Sequence, residues 1–535
     1  MKQRTILSLL TAAALTLSAC GGGDGGASAS GTTGPVGEPQ SGGELTVLED
    51  AAFAGSWPAG LDPATNTTGG SNIAMQQAIY GGLFLLKADD DGSNARVEGN
   101  QAESYELSED GTTFTVTLRE GIQFSDGTPL DAEAVKFNWD RALANPCTCK
   151  PNWPLAPNGI QVVDPLTISL TFTQPYPAIL ASFPVSNVNW IASPTALQEM
   201  GEDAFKITPV GAGPFTVVEN QLSSVLKLER NESYFKEGLP YLDKLTFQSI
   251  GGDQPAYQAL QAGQAQAYEG MNTTPLVEQA QNNSQLQVTI QPATSPYVVQ
   301  LNTKIAPFDD PRAREAIYRA TDFDAINEGI FGGNYEVADS FVAPGGKFYA
   351  LEVGGYPEYD VDRAKELVQE LGGLTVRLGT ISNYVATQIN TALQTQWQEA
   401  GIDVEIFDAQ LSGVIQEFTG GQWQAMLQTA GAWDPAAGVG VGFRFNSTAR
   451  YSGVVDTELD KLLADAAATV DEDERAGLYS QAAERIAENF YAPFGLAFAP
   501  ANVAVEGVHG PGLTTKIPPL LVNSGVIWDE VWREQ

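Results

Sequence analysis

The sequence predicts a mixed α/β fold, and two features of its patterning carry that prediction. Apolar and polar residues alternate through Phe114, Val116 and Leu118, which indicates a half-buried strand. Residues 375–427 read as strand, helix, strand, helix and strand, an order that implies parallel strands joined by right-handed crossovers. The chain has 535 residues, of which 43% are hydrophobic, and this is enough for roughly three units of domain size.

Strands and helices are interspersed in the first half of the chain. Residues 45–48 form the first predicted strand, and residues 166–172 alternate in the same way as the strand at Phe114. Between them, Asp131 is placed to cap a helix in which Val135 and Trp139 recur at helical spacing. This half is therefore predicted to combine sheet and helix.

The second half alternates more regularly. Its predicted strands are residues 375–378, 404–406 and 425–427, and its predicted helices are residues 386–400, 414–418 and much of 457–489. After these helices the chain returns to short strands and turns.

The N-terminus has the features of an export signal. Lys2 and Arg4 form a basic start, and residues 6–17 form an apolar stretch that is too short to span a bilayer. Residues 17–20, Leu-Ser-Ala-Cys, resemble a bacterial lipobox, in which an acylated Cys20 becomes the mature N-terminus. Acyl chains on Cys20 would anchor the protein to the outer face of the cell membrane. Ordinary cleavage after a small residue is the alternative.

A flexible tether is predicted at residues 20–43. This segment consists mainly of Gly, Ser, Ala, Thr and Pro, so it cannot bury enough apolar surface to fold. The folded part is expected to begin at Glu44. No later apolar run approaches the ~18 residues that a membrane span requires.

The composition is strongly acidic. The chain carries 28 basic and 65 acidic residues, a formal net charge of −37. Such a charge repels nucleic acid phosphates, so nucleic acid is excluded as a partner. A solvated acidic surface explains the charge better than a site that collects cations.

Two further cysteines, Cys147 and Cys149, lie close together in the sequence Asn-Pro-Cys-Thr-Cys-Lys-Pro. In an oxidising exterior they would close a tight local disulfide. A metal site is the alternative, but the chain has no second cysteine pair and its one histidine is His509. We therefore expect neither a metal nor a cofactor.

Several motifs along the chain resemble one known family. Residues 102–130 read AESYELSEDGTTFTVTLREGIQFSDGTPL. Further motifs follow in a fixed order: LDP at 61–63, GAGPF at 211–215, LNT at 301–303, PFDDPRAREAI at 307–317 and LDKLL at 459–463. This set resembles the bacterial extracellular solute-binding proteins of the peptide and nickel class, and it spans essentially the whole mature chain.

The resemblance implies a two-lobed, hinged fold of the type II periplasmic binding proteins, in their large peptide-binding class. Lobe 1 would comprise residues 44–295, with an inserted subdomain at about 89–204, and lobe 2 would comprise residues 296–499. Residues 500–535 would return to lobe 1. Binding that contacts both lobes favours the closed state, so the hinge would shut over the ligand.

The same resemblance implies the function. Members of this family deliver their ligand to a membrane permease that is driven by ATP hydrolysis. The chain is therefore expected to be a monomeric extracytoplasmic receptor of an ABC importer that captures oligopeptides or dipeptides, and not an enzyme.

Asp434 is the first candidate ligand contact that the resemblance implies. In peptide-binding members, an aspartate near a tryptophan pairs with the amino terminus of the ligand. Here Trp433 and Asp434 occupy the matching stretch, which follows the predicted strand at 425–427. A buried ammonium needs an opposite charge, which Asp434 would supply. A loop acid or a helix cap is the alternative role.

Three tryptophans and one arginine complete the candidate site. Trp433, Trp423 and Trp57 would offer flat apolar surfaces to a side chain or to a sugar face, although core packing is the alternative for each. Arg444 would clamp a ligand carboxylate with two parallel hydrogen bonds, or it would form a structural salt bridge.

Other functions remain open beside peptide uptake. An oligosaccharide receptor of the same family would use the tryptophans, whereas nickel or haem binding fits poorly with a chain that has one histidine. A secreted hydrolase is the alternative from a different class, since 65 acidic residues must bring some carboxylates together. The sequence lacks a Gly-x-Ser-x-Gly motif, and His509 has no evident nucleophile beside it.

Overall fold

The structure is a computed structural model that describes most of the chain. The described residues are 37–51, 60–65, 72–145, 153–349, 353–431, 433–437, 440–497, 499–520 and 525–535. Cys20, Trp57, Cys147 and Cys149 lie outside the described residues. The roles predicted for these four residues stay predictions.

The strands are short and lie along the whole described chain. They are β1 Glu44–Asp50, β2 Phe84–Lys87, β3 Arg96–Gly99, β4 Ala102–Leu107, β5 Thr113–Leu118, β6 Leu155–Asp164, β7 Thr167–Phe172, β8 Phe215–Gln221, β9 Val225–Arg230, β10 Lys244–Ile250, β11 Ala267–Met271, β12 Leu286–Ile290, β13 Pro296–Leu301, β14 Leu374–Ile381, β15 Ile402–Ala409, β16 Ala425–Thr429, β17 Phe494–Ala497, β18 Ala501–Val505, β19 Val508–His509 and β20 Trp532–Arg533.

Aspartate or asparagine caps begin many of the helices, because these side chains accept a hydrogen bond from an otherwise unpaired backbone N–H. Asp131, for example, accepts from Ala134, as predicted. The helices are α1 Ile73–Tyr80, α2 Ala132–Ala144, α3 Ile179–Ser182, α4 Pro194–Met200, α5 Glu202–Phe205, α6 Asp253–Gln261, α7 Thr274–Gln281, α8 Pro311–Arg319, α9 Phe323–Phe331, α10 Val361–Glu370, α11 Tyr384–Glu399, α12 Leu411–Gly420, α13 Val441–Phe445, α14 Thr457–Ala468 and α15 Glu472–Glu488.

A seven-stranded sheet has the order β12-β18-β11-β1-β10-β9-β8. Strand β1 pairs in parallel with β10 and β11, so Leu45 lies opposite Leu245 and Leu48 lies opposite Tyr268. Strand β18 comes from the far end of the chain and inserts between β12 and β11. This sheet therefore joins segments that are more than four hundred residues apart in sequence.

A five-stranded sheet has the order β15-β14-β16-β13-β17. Strands β14, β15 and β16 are parallel, with Leu378 opposite both Ile406 and Ala425. Helices α11 and α12 connect these strands, which confirms the strand–helix order predicted for residues 375–427. Trp397 of α11 is fully buried against this sheet, in a hydrophobic core that includes Val376.

A smaller four-stranded antiparallel sheet has the order β4-β5-β7-β6. Phe114, Val116 and Leu118 are buried on one face of β5, as their alternation predicts. Trp139 of α2 is completely buried in the hydrophobic core shared with this face.

Among the described strands, the chain passes from one large sheet to the other between Ile290 and Pro296 and again between Ala497 and Ala501. Ala501 lies opposite Ile290, and Pro296 lies opposite Ala497, so both crossings leave each sheet at the same end of its strands. We call the two parts the first lobe, built on the seven-stranded sheet, and the second lobe, built on the five-stranded sheet. The space between these strand ends of the two sheets is called the cleft.

No described helix is both long enough and apolar enough to cross a membrane.

Candidate ligand-binding cleft

The carboxyl ends of parallel strands from both lobes lie at the cleft. In the second lobe Asp408 lies near the end of β15, and Asn383 follows β14 and caps α11. In the first lobe Asn272 directly follows β11, and its backbone N–H donates to Asp253. Open α/β sheets bind ligands beyond the carboxyl ends of their strands. The cleft is therefore the candidate binding site.

One loop of the second lobe, residues 433–437, makes contact with the first lobe. Trp433 and Ala437 pack against the hydrophobic core of the first lobe. Together with Asp434 they line a small cavity of about 10 Å³. Its other walls belong to the first lobe and consist of Leu86, Val97, Ala181, Pro184, Val185 and Leu520. The two lobes are therefore in direct contact at this loop.

Asp434, the predicted ammonium partner, is already paired. One of its carboxylate oxygens accepts a hydrogen bond of 2.9 Å from Arg475 of α15 and another of 2.9 Å from the backbone N–H of Ala436. The side chains of Asp434 and Arg475 are 1% and 2% exposed. The charge of Asp434 is thus neutralised within the second lobe, and its proposed contact with a ligand stays a prediction.

Aromatic rings surround this ion pair from both lobes. The Arg475 guanidinium lies 4.9 Å from the ring centre of Phe348 and 5.8 Å from that of Tyr479. Burial lowers the pKa of Arg475, but Asp434 more than offsets this effect, so the pKa is raised overall. Tyr176 of the first lobe has its own pKa raised by burial and by the charge of Asp434. The ion pair therefore lies beside the contact between the lobes.

Trp433 is partly exposed next to this pair. Its carbonyl oxygen accepts a hydrogen bond of 2.8 Å from the backbone N–H of Lys347, and the Lys347 ammonium lies 5.9 Å from its ring centre. The ring of Trp433 packs on the first lobe, and its proposed contact with a ligand stays a prediction.

Trp423 lies away from this loop. It is 3% exposed and packs with Phe418, Met426 and Tyr451 in a hydrophobic cluster on one face of the five-stranded sheet. Its ring meets that of Phe418 edge to face at 4.9 Å. These contacts match the alternative role of core packing, so the structure does not bring Trp423 together with Trp433 and Asp434.

Arg444 lies in the short helix α13 and is partly exposed. In the described part of the chain its guanidinium makes no hydrogen bond and no ion pair, and its Nε atom is completely buried. Burial lowers the pKa of Arg444 to about 10. The structural salt bridge considered as its alternative role is therefore not formed here by any described residue.

His509 is placed near the end of the chain. Its Nε2 atom lies 3.1 Å from the carboxylate of Glu534, and its ring stacks on Trp532 at 4.3 Å. Within the described ranges, no group of three or more His, Cys, Asp or Glu side chains could hold a metal ion.

Three residues that shape this region were not predicted from the sequence: Arg475, Tyr176 and Tyr451. Arg475 comes 41 residues after Asp434, on a helix whose local pattern is that of an ordinary amphipathic segment. Tyr176 and Tyr451 lie in loops. No local signal distinguishes these residues, because their neighbours come from distant parts of the chain.

Two α/β lobes that are joined by two crossing segments and face each other across a cleft define a two-lobed solute-binding protein of the type II periplasmic class. Residues 96–451 match the bacterial extracellular solute-binding proteins, family 5 Middle. The chain belongs to this family. It is thus an extracytoplasmic solute-binding protein of an ABC importer, and its family and fold are those of receptors, not of enzymes.

Curated relatives extend the match. The glutathione-binding protein GsiB of Salmonella paratyphi A is 31% identical over 443 residues, which cover 77% of this chain and 82% of the relative. GsiB of Shigella flexneri is 30% identical over 447 residues, with the same coverage of 77% and 82%.

Solved structures share the fold. The periplasmic binding protein DppA of Helicobacter pylori, in complex with the peptide STSA, has a TM-score of 0.77 at 23% identity and covers 93% of this chain and 99% of its own. AgaA of A. tumefaciens R10, in complex with agropinic acid, has a TM-score of 0.78 at 22% identity, with coverages of 92% and 99%.

Proposed function

We propose that this protein captures small peptides in its cleft and delivers them to an ABC permease in the cell membrane. The observation that carries the proposal is the 31% identity to a glutathione-binding protein over 77% of this chain. Glutathione is a tripeptide, and the cleft of this chain presents polar groups from both lobes, as a peptide backbone requires. DppA, with a bound tetrapeptide, has the same fold.

The peptide class is tested by native mass spectrometry of the gently purified protein. We expect co-purified masses that correspond to di- to pentapeptides, or a complex with added glutathione. Hexose-spaced masses would instead assign the protein to oligosaccharide uptake, and a ligand that is altered on release would indicate a hydrolase.

Several finer features belong to this proposal. Asp434, Trp433, Trp423, Trp57 and Arg444 are candidate ligand contacts. The protein would act as a monomer whose lobes comprise residues 44–295 with 500–535, and residues 296–499. Strand β18, in the same sheet as β1, and strands β13 to β17, in the other, support this division.

The anchor is proposed from the sequence alone. The motif at residues 17–20 supports acylation of Cys20, which would hold the protein on the outer face of the membrane by a flexible tether. The mass of the mature protein tests this proposal, because acylation adds fatty-acid mass to Cys20. Cys20→Ser should release the protein from the membrane fraction.

A further inference from the structure

A further contact between the lobes lies outside loop 433–437. Gly111 is in the turn between β4 and β5, whose sheet shares the hydrophobic core of the first lobe, and Val470 lies between α14 and α15 of the second lobe. A Cβ atom on Gly111 would lie 3.1 Å from Cγ2 of Val470 and 3.1 Å from Cβ of Pro175. The backbone of this turn therefore touches the second lobe and leaves no room for a side chain.

Tyr176 fixes this turn to the first lobe. Its backbone N–H donates to the carbonyl oxygen of Gly111 at 2.9 Å, and its ring meets that of Phe172 edge to face at 5.7 Å. The side chain of Tyr176 is buried, and the charge of Asp434 in the second lobe acts on it. The turn therefore moves with the first lobe when the two lobes approach or separate.

The contact at Val470 buries little apolar surface. The side chain of Val470 stays 45% exposed although it meets Gly111. The hydrophobic effect is roughly proportional to the apolar area removed from water, so a half-exposed side chain gains only part of the free energy of full burial. Charges on either side of this contact are therefore able to shift the balance between contact and separation.

Acidic side chains flank the contact from both lobes. They are exposed and adjoin Gly111 or Val470 in sequence: Glu109 and Asp110 in the first lobe, and Asp471, Glu472, Asp473 and Glu474 in the second. We call residues 109–110 and 471–474 the two acidic segments. Because Gly111 touches Val470, closure of the lobes brings segments of the same charge together.

Most of this negative charge is not offset nearby. Lys347 pairs with Glu472 at 2.6 Å, and Arg475 is already paired with Asp434. The other members of the two acidic segments form no ion pair with any described residue. Exposed charges repel each other over about one Debye length, which is about 30 Å at 0.01 M salt and about 8 Å at 0.15 M. The repulsion between the segments is therefore strongest in dilute solution.

We propose that repulsion between the two acidic segments makes closure of the lobes dependent on ionic strength. Separation of the lobes about their crossing segments moves residues 109–110 away from the start of α15 and relieves the repulsion. Salt screens the repulsion and favours the contact between Gly111 and Val470. The protein therefore closes more readily at high ionic strength. This inference goes beyond the proposed function, because it concerns the movement of the lobes whatever solute the cleft holds.

Small-angle X-ray scattering of the ligand-free mature chain measures closure without any solute. The radius of gyration of the wild type should fall as NaCl rises from about 0.01 M to about 1 M, because the Debye length shortens from about 30 Å to about 3 Å. KCl should act in the same way, since screening does not depend on which monovalent cation is present. A constant radius, or a response to one of the two salts alone, would overturn the proposal.

Charge variants separate the two acidic segments from the net charge of the chain. Glu109→Lys places a positive charge opposite residues 471–474, so its radius at about 0.01 M NaCl should already be close to the high-salt value of the wild type. Glu120→Lys is the matched control: it makes the same charge change at an exposed position beyond the other end of β5, a strand about 17 Å long. Glu120→Lys should respond to salt like the wild type. Equal behaviour of the two variants would overturn the proposal.

A variant of the second lobe tests the same repulsion from the other side. Asp473→Asn combined with Glu474→Gln removes two charges and should also reduce the response of the radius to salt. The Tm of each variant shows whether it is folded. A full salt response in this double variant, with a Tm like that of the wild type, would count against the proposal.

Isothermal titration calorimetry with glutathione links closure to binding. The apparent affinity scales with the population that is able to close, so the Kd of the wild type should fall by about fivefold over the same range of NaCl, and that of Glu109→Lys by about twofold or less. An equal salt dependence in both proteins would overturn the proposal. A wild type that does not bind glutathione counts against the proposed function alone, because the scattering experiment decides the movement of the lobes without a ligand.

Discussion

Two charged groups, the Asp434–Arg475 pair and Arg444, differ in whether their charges are paired. Asp434 and Arg475 are both almost completely buried and bond to each other at 2.9 Å. Arg444 is partly exposed with its Nε atom buried, and the described residues offer its guanidinium no counter-ion and no hydrogen-bond acceptor. Asp434 lies within loop 433–437, and Arg444 lies in α13, which follows this loop. The charges of the first group are paired without a ligand, whereas the charge of Arg444 is not paired by any described residue.

This difference in pairing distinguishes a charge that stabilises the fold from a charge that is available to bind a ligand. A paired buried ion contributes little to binding but is strongly destabilising when one partner is removed. An unpaired one lowers the stability of the free protein and favours the complex that supplies its partner. Substitutions at the two sites should therefore have opposite effects on stability and on affinity.

The largest effect is expected at the paired site. Arg475→Met removes the partner of a carboxylate that is 1% exposed, and it should lower the free energy of unfolding by about 3–5 kcal/mol. Urea unfolding measures this change. The double variant Asp434→Asn/Arg475→Met leaves no unpaired charge and should recover part of the loss. A single variant as stable as the wild type would show that the pair is not structural.

A second paired carboxylate gives a smaller and pH-dependent effect. Asp456 accepts hydrogen bonds of 2.8 Å from Arg485 and 2.9 Å from the Tyr491 hydroxyl, and it caps α14. Burial raises its pKa, but these hydrogen bonds outweigh burial, so the pKa is lowered overall. Asp456→Asn should cost roughly 1–3 kcal/mol at neutral pH.

The pH dependence of that effect follows from the direction of the shift. The stabilisation by Asp456 is fully present above the unfolded-state pKa of about 4 and is lost as the pH falls through the lower folded-state pKa. Urea unfolding of the wild type and of Asp456→Asn should therefore converge below about pH 4. A gap that stays constant down to acid pH would contradict this account.

The order of elements was predictable from the sequence, because it depends on local patterns. The predicted helix at residues 386–400 is Tyr384–Glu399, and the predicted strand at 425–427 is Ala425–Thr429. Predicted strand 404–406 is in fact longer, Ile402–Ala409. The pairing of β18 with β11 and β12 has no local signal, and only the family resemblance implied that the chain returns to the first lobe.

The candidate site was less predictable, because it depends on contacts between distant residues. Trp433 and Asp434 were found by their place in a motif, but the motif gave no sign that Arg475 neutralises Asp434. Arg444 was a candidate from its residue type alone. Its unmet donors became evident only when the neighbours of α13 were known, since a lack of partners leaves no mark in the sequence.

A third prediction concerns the loop that connects the two charged groups. Trp433 packs on the first lobe, so Trp433→Ala should favour the open state and weaken glutathione binding by about tenfold, or about 1.4 kcal/mol. Val97→Ala changes a wall of the same cavity from the other lobe and should also weaken binding. An effect of Trp433→Ala alone would indicate a direct ligand contact rather than lobe closure.

The smallest effect is expected at an exposed ion pair of similar geometry. Lys461 and Asp465 of α14 approach to 2.5 Å, closer than Asp434 and Arg475, but their side chains are 67% and 44% exposed. Water and salt screen such a pair, and ordering two long side chains offsets much of the attraction. Lys461→Gln should leave the urea midpoint unchanged within error, although it breaks a shorter contact than Arg475→Met does. A shift comparable to that of Arg475→Met would mean that distance, rather than burial, decides the strength of ion pairs in this protein, and the contrast between Arg475 and Arg444 would then lose its physical basis.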